Sequence, residues 1–265
     1  MKSTSVRIAL FIGLLGLASI PAKADEWSKS YSLNGRPNLR VETSDASIRV
    51  TTGDQNTIEA KVITTRYKIG EGGIHIEEHQ TGNSVEIDVR YPHHNFEWGP
   101  GHRVEIIIQM PREGEVNLHT GDGKIEVSGL KGEMDLRTGD GSVNLDGVDG
   151  KLHASTGDGH IQANGRFDEL ELKTGDGHVD VRAASGSALA GNWRLETGDG
   201  GVSLEVPQNF AANVDLHTND GHIDLDMPVT TEGSMHQNEI RGKLNGGGNL
   251  LTIRTGDGSI RLKKG

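Results

Sequence analysis

The sequence predicts an all-β protein built as a right-handed β-solenoid, a single-stranded β-helix-like fold with coils of about 18 residues. Two observations carry this prediction. The motif Thr-Gly-Asp-Gly or a close variant returns along the chain, and apolar and polar residues alternate on both sides of it. The motif threonines are separated by 18, 18, 18, 23, 21 and 37 residues, at Thr120, Thr138, Thr156, Thr174, Thr197, Thr218 and Thr255.

Each coil is predicted to contain two short strands. Side chains four and two residues before the threonine, and five and seven after it, are apolar, as in Met134, Leu136, Val143 and Leu145. Alternation with a period of two gives each strand one buried face. The apolar positions repeat nine residues apart, which disfavours a three-sided hexapeptide helix. Right-handed coiling is the default for parallel crossovers. An antiparallel β meander is the alternative, because a glycine-rich turn also closes hairpins.

The first element is a predicted secretory signal peptide over residues 1–24. Lys2 and Arg7 precede an apolar run over residues 8–20, and Ala22-Lys23-Ala24 matches a small-x-small cleavage pattern. We therefore expect a mature chain that starts at Asp25 and is exported, to the periplasm or to the cell surface and medium.

The second element is an N-terminal β region over residues 25–110, continuous with the solenoid. A coil without the glycines surrounds Thr43-Ser-Asp-Ala46. Longer alternating runs over residues 57–67, 84–91 and 104–110 are predicted to be antiparallel strands, and a loop over residues 92–102 interrupts them.

The third element is the solenoid itself over residues 111–265. The longer spacings predict insertions near residues 183–191 and 227–248. Insertions in repeat proteins usually leave as loops, so we expect residues 228–248 to protrude and to be dispensable for folding.

Composition excludes several classes of protein. No other run approaches the roughly 20 apolar residues that cross a bilayer, and the chain has no cysteine for disulfides or lipid attachment. Removal of Lys2, Arg7 and Lys23 changes the net charge from −11 to −14. An acidic surface disfavours nucleic acid and anionic lipids as partners.

The Gly-Asp-Gly corner is interpreted as structural. The glycines are expected to adopt positive φ, and Asn219 in the sixth motif is consistent with that. The aspartate is expected to accept hydrogen bonds from the following backbone N–H groups, and the threonine to point inward with its hydroxyl bonded to the turn. A phosphate cradle is rejected, because these loops open strands and carry an acid.

Calcium is the functional alternative for the corner. Parallel stacking would place aspartates of successive coils in a column about one strand spacing apart, where they repel one another. Calcium would relieve that repulsion, although only one corner of each coil carries the motif. The column would contain Asp122, Asp140, Asp158 and Asp176.

Other candidate sites are weaker. His160 and His178 occupy equivalent outward positions and could share a metal or respond to pH. His93, His94 and His102 with Glu97 could chelate a metal, and in the same loop Phe96 and Trp98 could bind a sugar or pack over the end of the solenoid. A glycosidase pair needs two carboxylates at a fixed separation, one with a raised pKa. The outward carboxylates are Glu126, Asp135, Glu171, Asp180, Asp215 and Asp224.

Two long stretches resemble a known family. VEIIIQMPREGEVNLHTGDGKIEV and IRGKLNGGGNLLTIRTGDGSIRL are similar to the bacterial putative-adhesin, or toastrack, family of β-strand repeats, whose biochemical function is unknown. The resemblance covers roughly residues 39–262 and implies an exported or envelope-facing β-solenoid without established enzyme activity. We therefore expect a non-catalytic scaffold, with no catalytic, cofactor or metal residues, that contacts an envelope, glycan or protein surface. The alternative is a polysaccharide-binding enzyme or lyase on a β-helix.

Overall fold

The computed structural model describes residues 24–92, 103–231 and 237–265, and every regular element in these ranges is a β-strand. The strands are β1 Ala24–Ser32, β2 Asn38–Thr43, β3 Ser47–Gly53, β4 Thr57–Thr65, β5 His75–Thr81, β6 Ser84–Arg90, β7 Arg103–Pro111, β8 Glu113–Thr120, β9 Ile125–Ser128, β10 Lys131–Thr138, β11 Val143–Thr156, β12 Ile161–Thr174, β13 Val179–Ala183, β14 Trp193–Thr197, β15 Val202–Val206, β16 Ala212–Thr218, β17 Ile223–Leu225, β18 Val229–Thr231, β19 Glu239–Leu244, β20 Leu250–Thr255 and β21 Ile260–Lys264.

Parallel pairing arranges these strands in two rows. We call the first the threonine row, because seven of its nine strands end at a motif threonine; its order is β6–β2–β8–β10–β11–β12–β14–β20–β16. The second, the return row, runs β7–β3–β9–β11–β12–β13–β15–β21–β17. β11 and β12 belong to both rows, because each continues round the corner opposite the motif. One strand from each row forms a rung.

The register matches the repeat. Met134 pairs with Val116 on one side and with Leu152 on the other, and Thr138 pairs with Thr120. The apolar positions of both rows therefore meet in one continuous core. The β-solenoid prediction is confirmed, and the antiparallel meander is excluded because successive coils pair in parallel.

Chain order and spatial order differ at both ends of the solenoid. The last coil, β20–β21, lies between β14–β15 and β16–β17, so the end of the chain forms an inner rung. Near the N-terminus, β2–β3 lies between β6–β7 and β8–β9 in the same manner.

Antiparallel strands cover the outermost rungs. β4 pairs with β7 and β1 pairs with β4, while β5 pairs with β6. The predicted antiparallel N-terminal region is therefore present. For residues 84–91 and 104–110 the prediction of antiparallel strands is incomplete, because β6 and β7 each also pair in parallel with the next rung and so form a regular rung themselves.

The insertion near residues 227–248 also covers an outermost rung, the one that contains β16. β19 runs antiparallel to β16 over six residue pairs, and β18 pairs with β19. Ile240 and Leu244 are buried against the core. The expectation that residues 228–248 protrude is therefore wrong for the strands on either side of residues 232–236. The insertion near residues 183–191 does leave the strands as a turn, which returns to β12 through hydrogen bonds such as Ala184 N–H to the Gly165 carbonyl.

Candidate functional site

The motif threonines form a buried ladder along one corner of the solenoid. The Thr156 hydroxyl donates to the Gly141 carbonyl of the preceding rung at 2.8 Å and accepts from the Gly159 N–H of its own turn at 3.2 Å. The same pair of bonds recurs at Thr138 and Thr174. The predicted inward threonine with a hydroxyl bonded to the turn is confirmed.

The corner glycines have a different role from the one predicted. None of the Thr-Gly-Asp-Gly glycines has positive φ, and Asn219 does not either. A Cβ at Gly141 would instead lie 2.0 Å from the Gly123 carbonyl oxygen, and one at Gly159 would lie 2.0 Å from the Gly141 carbonyl oxygen. Close stacking of rungs, and not backbone strain, excludes side chains here. Ala46 occupies this position in the first such corner, where the rung on its outer side lacks the motif.

The corner aspartates lie in a column along the stacked corners. The corner backbones are directly bonded between rungs, as from Gly157 N–H to the Gly139 carbonyl at 2.5 Å. The carboxylates at this corner are all exposed to solvent: Asp122, Asp140, Asp158, Asp176, Asp199, Asp220 and Asp257. Within the described ranges no three acids and histidines are arranged to hold a metal ion.

The structure brings together the two histidines that sequence analysis singled out, His160 and His178. The rings of His160 and His178 lie 5.3 Å apart and nearly perpendicular. His160 Nδ1 accepts a 2.9 Å hydrogen bond from the His178 backbone N–H, which uses one of its two ring nitrogens. Among the described residues no third ligand joins them. The other histidine hypothesis, and the one on Phe96 and Trp98, concern residues 93–102, which lie outside the described residues.

Three of the outward carboxylates are engaged in ion pairs. Lys124 and Arg49 hold the pKa of Glu126 below its ordinary value, through hydrogen bonds and their charges, which is the wrong direction for a general acid. Asp135 pairs with Arg137 at 3.0 Å, and Asp215 pairs with Arg254 at 3.0 Å. The remaining outward carboxylates are exposed to solvent, at Glu171, Asp180 and Asp224.

A groove at the N-terminal end of the return row is the feature that sequence analysis missed. β4, β7, β3 and β9 lie side by side there, and the groove above them has a volume of about 590 Å³. Tyr67 and Tyr91 form an aromatic wall, with ring centroids 6.3 Å apart at an angle of 82°. Each tyrosine follows the end of an alternating run, and that position was the only signal in the sequence.

Charged side chains line the rest of this groove. The Arg49 guanidinium is held between Glu105 and Glu126, each at 2.8 Å, and Lys124 pairs with Glu126 at 2.5 Å. The lining carries three cations and three carboxylates: Arg49, Arg103, Lys124, Asp45, Glu105 and Glu126.

Asp45 lines the groove and lies next to Asp122, the first aspartate of the column. Its pKa is raised by burial and by the neighbouring charge of Asp122, and a backbone N–H of Asp122 opposes this. The pKa values of Tyr67 and Tyr91 are raised by burial and then by Asp45, so both phenols stay protonated and can donate hydrogen bonds.

The threonine row offers a contrasting surface. A depression of about 360 Å³ on it is lined by Glu115, Glu133, Asp135, Lys151, His153 and Glu169, without a tyrosine, phenylalanine or tryptophan. Lys151 lies between Glu133 and Glu169, at 3.4 and 3.8 Å. This is an open ladder of ion pairs, and such exposed pairs contribute little to stability.

Stacked parallel rungs, a threonine ladder and outward polar faces define a β-solenoid repeat protein. Within that class, the chain belongs to the Toastrack DUF4097 family, whose model matches residues 105–188 and 164–263. No curated protein matches the sequence.

Solved structures with similar chain paths are distant in sequence. A putative cell adhesion protein from Clostridium sporogenes is 15% identical, with a TM-score of 0.45, covering 92% of this chain and 100% of that chain. A putative lipid binding protein from Parabacteroides distasonis is 12% identical, with a TM-score of 0.38, over 91% and 98%. A putative adhesin from Bacteroides fragilis is 9% identical, with a TM-score of 0.33, over 90% and 97%.

Proposed function

We propose that this protein is an exported, non-catalytic β-solenoid scaffold that makes adhesin-like contacts with an envelope or cell-surface partner. The observation that carries the proposal is the arrangement of the two rows, which bury their apolar side chains and present ladders of polar side chains on the outside. Such ladders suit contact with an extended surface, because each rung adds the same kind of contact as its neighbour.

Export is supported by the N-terminal sequence. The signal-peptide pattern ends at Ala24, and β1 pairs residue for residue with β4 from Ala24 to Ser32. Cleavage before Asp25 removes one residue of that pairing and leaves Trp27 and Tyr31 in place on β4. Periplasm and cell surface are both compatible with this proposal. The described residues include no helix that is long and apolar enough to cross a membrane.

A non-catalytic role is supported by the local pairing of the outward acids. A general acid in glycoside hydrolysis needs a carboxyl whose pKa is raised and which faces a second carboxylate across the substrate. Lys124 and Arg49 have the opposite effect on Glu126. We therefore place the function in binding.

The test is binding of the exported chain to cells. Mature protein from Asp25 onward, labelled at its C-terminus, is incubated with intact bacterial cells and with purified envelope material, with and without calcium. We expect saturable binding that does not need calcium, and no hydrolysis or lyase products from envelope polysaccharides. Absence of saturable binding, or release of unsaturated sugar products, would contradict the proposal.

A further inference from the structure

We propose that the groove beside Tyr67 and Tyr91 is a binding site for a neutral saccharide. This inference rests on the proposed function as a surface-binding scaffold, and it names the ligand class and the site. The groove's volume of about 590 Å³ lies within the range of small-molecule binding clefts, which is about 300–1,000 Å³.

The aromatic wall supplies the first part of the recognition. Tyr67 and Tyr91 meet edge to face, with their ring planes nearly perpendicular, and both line the groove. The face of an aromatic ring carries negative partial charge and attracts groups with positive partial charge. The C–H groups on one face of a pyranose ring are such groups. Tyrosine also brings a hydroxyl that can bond to a sugar oxygen.

Fixed charged side chains supply the second part. Arg49 uses its Nε and Nη1 for Glu126 and Glu105, and this holds the guanidinium across the floor of the groove. A guanidinium has five N–H donors and a carboxylate has about four acceptor sites, so each retains capacity after pairing. Sugar hydroxyls both donate and accept, and bonds to ionised groups are the stronger ones.

Charge balance selects a neutral ligand. The three cations and three carboxylates of the lining cancel at neutral pH, so the groove offers no net attraction to a phosphate or to an acidic sugar. The depression on the threonine row has an excess of carboxylates and no aromatic wall. It lacks both features on which the proposal depends.

The experiment is saturation-transfer NMR on the mature full chain, with chitotriose and maltotriose as neutral probes and choline and phosphate as charged probes. We expect at least one neutral oligosaccharide to bind. Tyr67→Ala should weaken its affinity about tenfold, because it removes one aromatic contact. Arg49→Met should weaken the affinity by a similar factor. His153→Ala, on the opposite face, is the matched control and should leave affinity unchanged.

Several outcomes would overturn the site. One is that neither neutral oligosaccharide binds. Another is that their binding is insensitive to both Tyr67→Ala and Arg49→Met in protein with the parental circular dichroism. If choline binds at the tyrosines and neither oligosaccharide does, the site recognises a cation and the saccharide proposal is wrong. If cell binding persists in Tyr67→Ala while saccharide binding is absent from the parent protein, the inference fails and the proposed function stands.

Discussion

At the residue scale, the corner glycines are required by the distance between rungs. A methyl group at Gly141 meets the Gly123 carbonyl oxygen at 2.0 Å, while one at Gly139 meets the Gly121 carbonyl oxygen at 2.7 Å. Both oxygens belong to backbone that is bonded into the stack, so neither can move aside without lengthening hydrogen bonds.

Gly141→Ala should therefore be destabilising, by about 3 kcal/mol at the upper end of overpacking effects. Gly139→Ala is the matched control and should cost less, because its contact is longer. Denaturant unfolding of both variants measures the difference. Equal costs, or no cost at Gly141, would contradict the close-stacking explanation.

The hydrogen bonds of the threonine ladder should also contribute to the stability of the fold. Thr156→Val keeps the shape of the side chain but leaves the Gly141 carbonyl and the Gly159 N–H without their partner. Leaving a buried polar group unsatisfied costs about 1–3 kcal/mol. Thr156→Ser keeps the hydroxyl and should cost less than Thr156→Val. A valine variant at least as stable as the serine variant would show that the ladder bonds are unimportant.

At the element scale, successive rungs place like charges beside one another along the corner. The exposed aspartates are solvated, and within the described residues no group of acids and histidines holds a metal. Asp140→Asn removes one charge and keeps an acceptor oxygen. We expect this variant to melt at or slightly above the parental temperature, and a chelator to leave the parent unchanged. A rise in melting temperature with millimolar calcium that Asp140→Asn abolishes would instead support the calcium column.

Asp45 is a corner acid whose pKa is raised in the folded protein. Since its pKa is raised in the folded state by burial and by Asp122, its ionised form destabilises the fold at neutral pH. This penalty is relieved as the pH falls through the raised pKa and is absent below the ordinary value of about 3.9. Asp45→Asn should raise the melting temperature at pH 7, and the gain should disappear near pH 3. Asp122→Asn, which removes the neighbouring charge, should act in the same direction. A gain for Asp45→Asn that does not change with pH would contradict this account.

At the scale of the whole molecule, the last coil of the chain, β20–β21, is an inner rung of the solenoid. β20 lies between β14 and β16, and β21 lies between β15 and β17. Leu251, Ile253, Ile260 and Leu262 are fully buried there. β18 and β19, by contrast, lie outside β16, and β19 pairs with its outer edge.

Truncation after Gly248 should therefore be far more harmful than excision of residues 228–248 with a short glycine link. Four buried side chains contribute about 1.5–3 kcal/mol each, which approaches the total stability of a domain. Excision exposes the β16 edge and removes Ile240 and Leu244, so it should lower the melting temperature while keeping β-type circular dichroism. Melting curves of the two variants decide this. A truncated chain that melts like the excised one would show that β20–β21 is not an inner rung.

The sequence by itself determined the repeating coil. Local alternation sets which side chains of a strand are buried, so positions such as Leu136 and Val143 could be assigned without a structure. The inward threonine followed from the same alternation. These features depend on residues close together in the chain.

Tertiary structure decided the order of the rungs, the reason for the corner glycines and the groove. The insertion of β20–β21 between two earlier rungs depends on pairing between distant segments, which no local pattern encodes. The close approach of Gly141 to Gly123 exists only once the rungs stack. Likewise Tyr67 and Tyr91 are 24 residues apart, and only the stacking of the outermost rung and the antiparallel pairing of β4 with β7 bring them to Arg49 and Asp45.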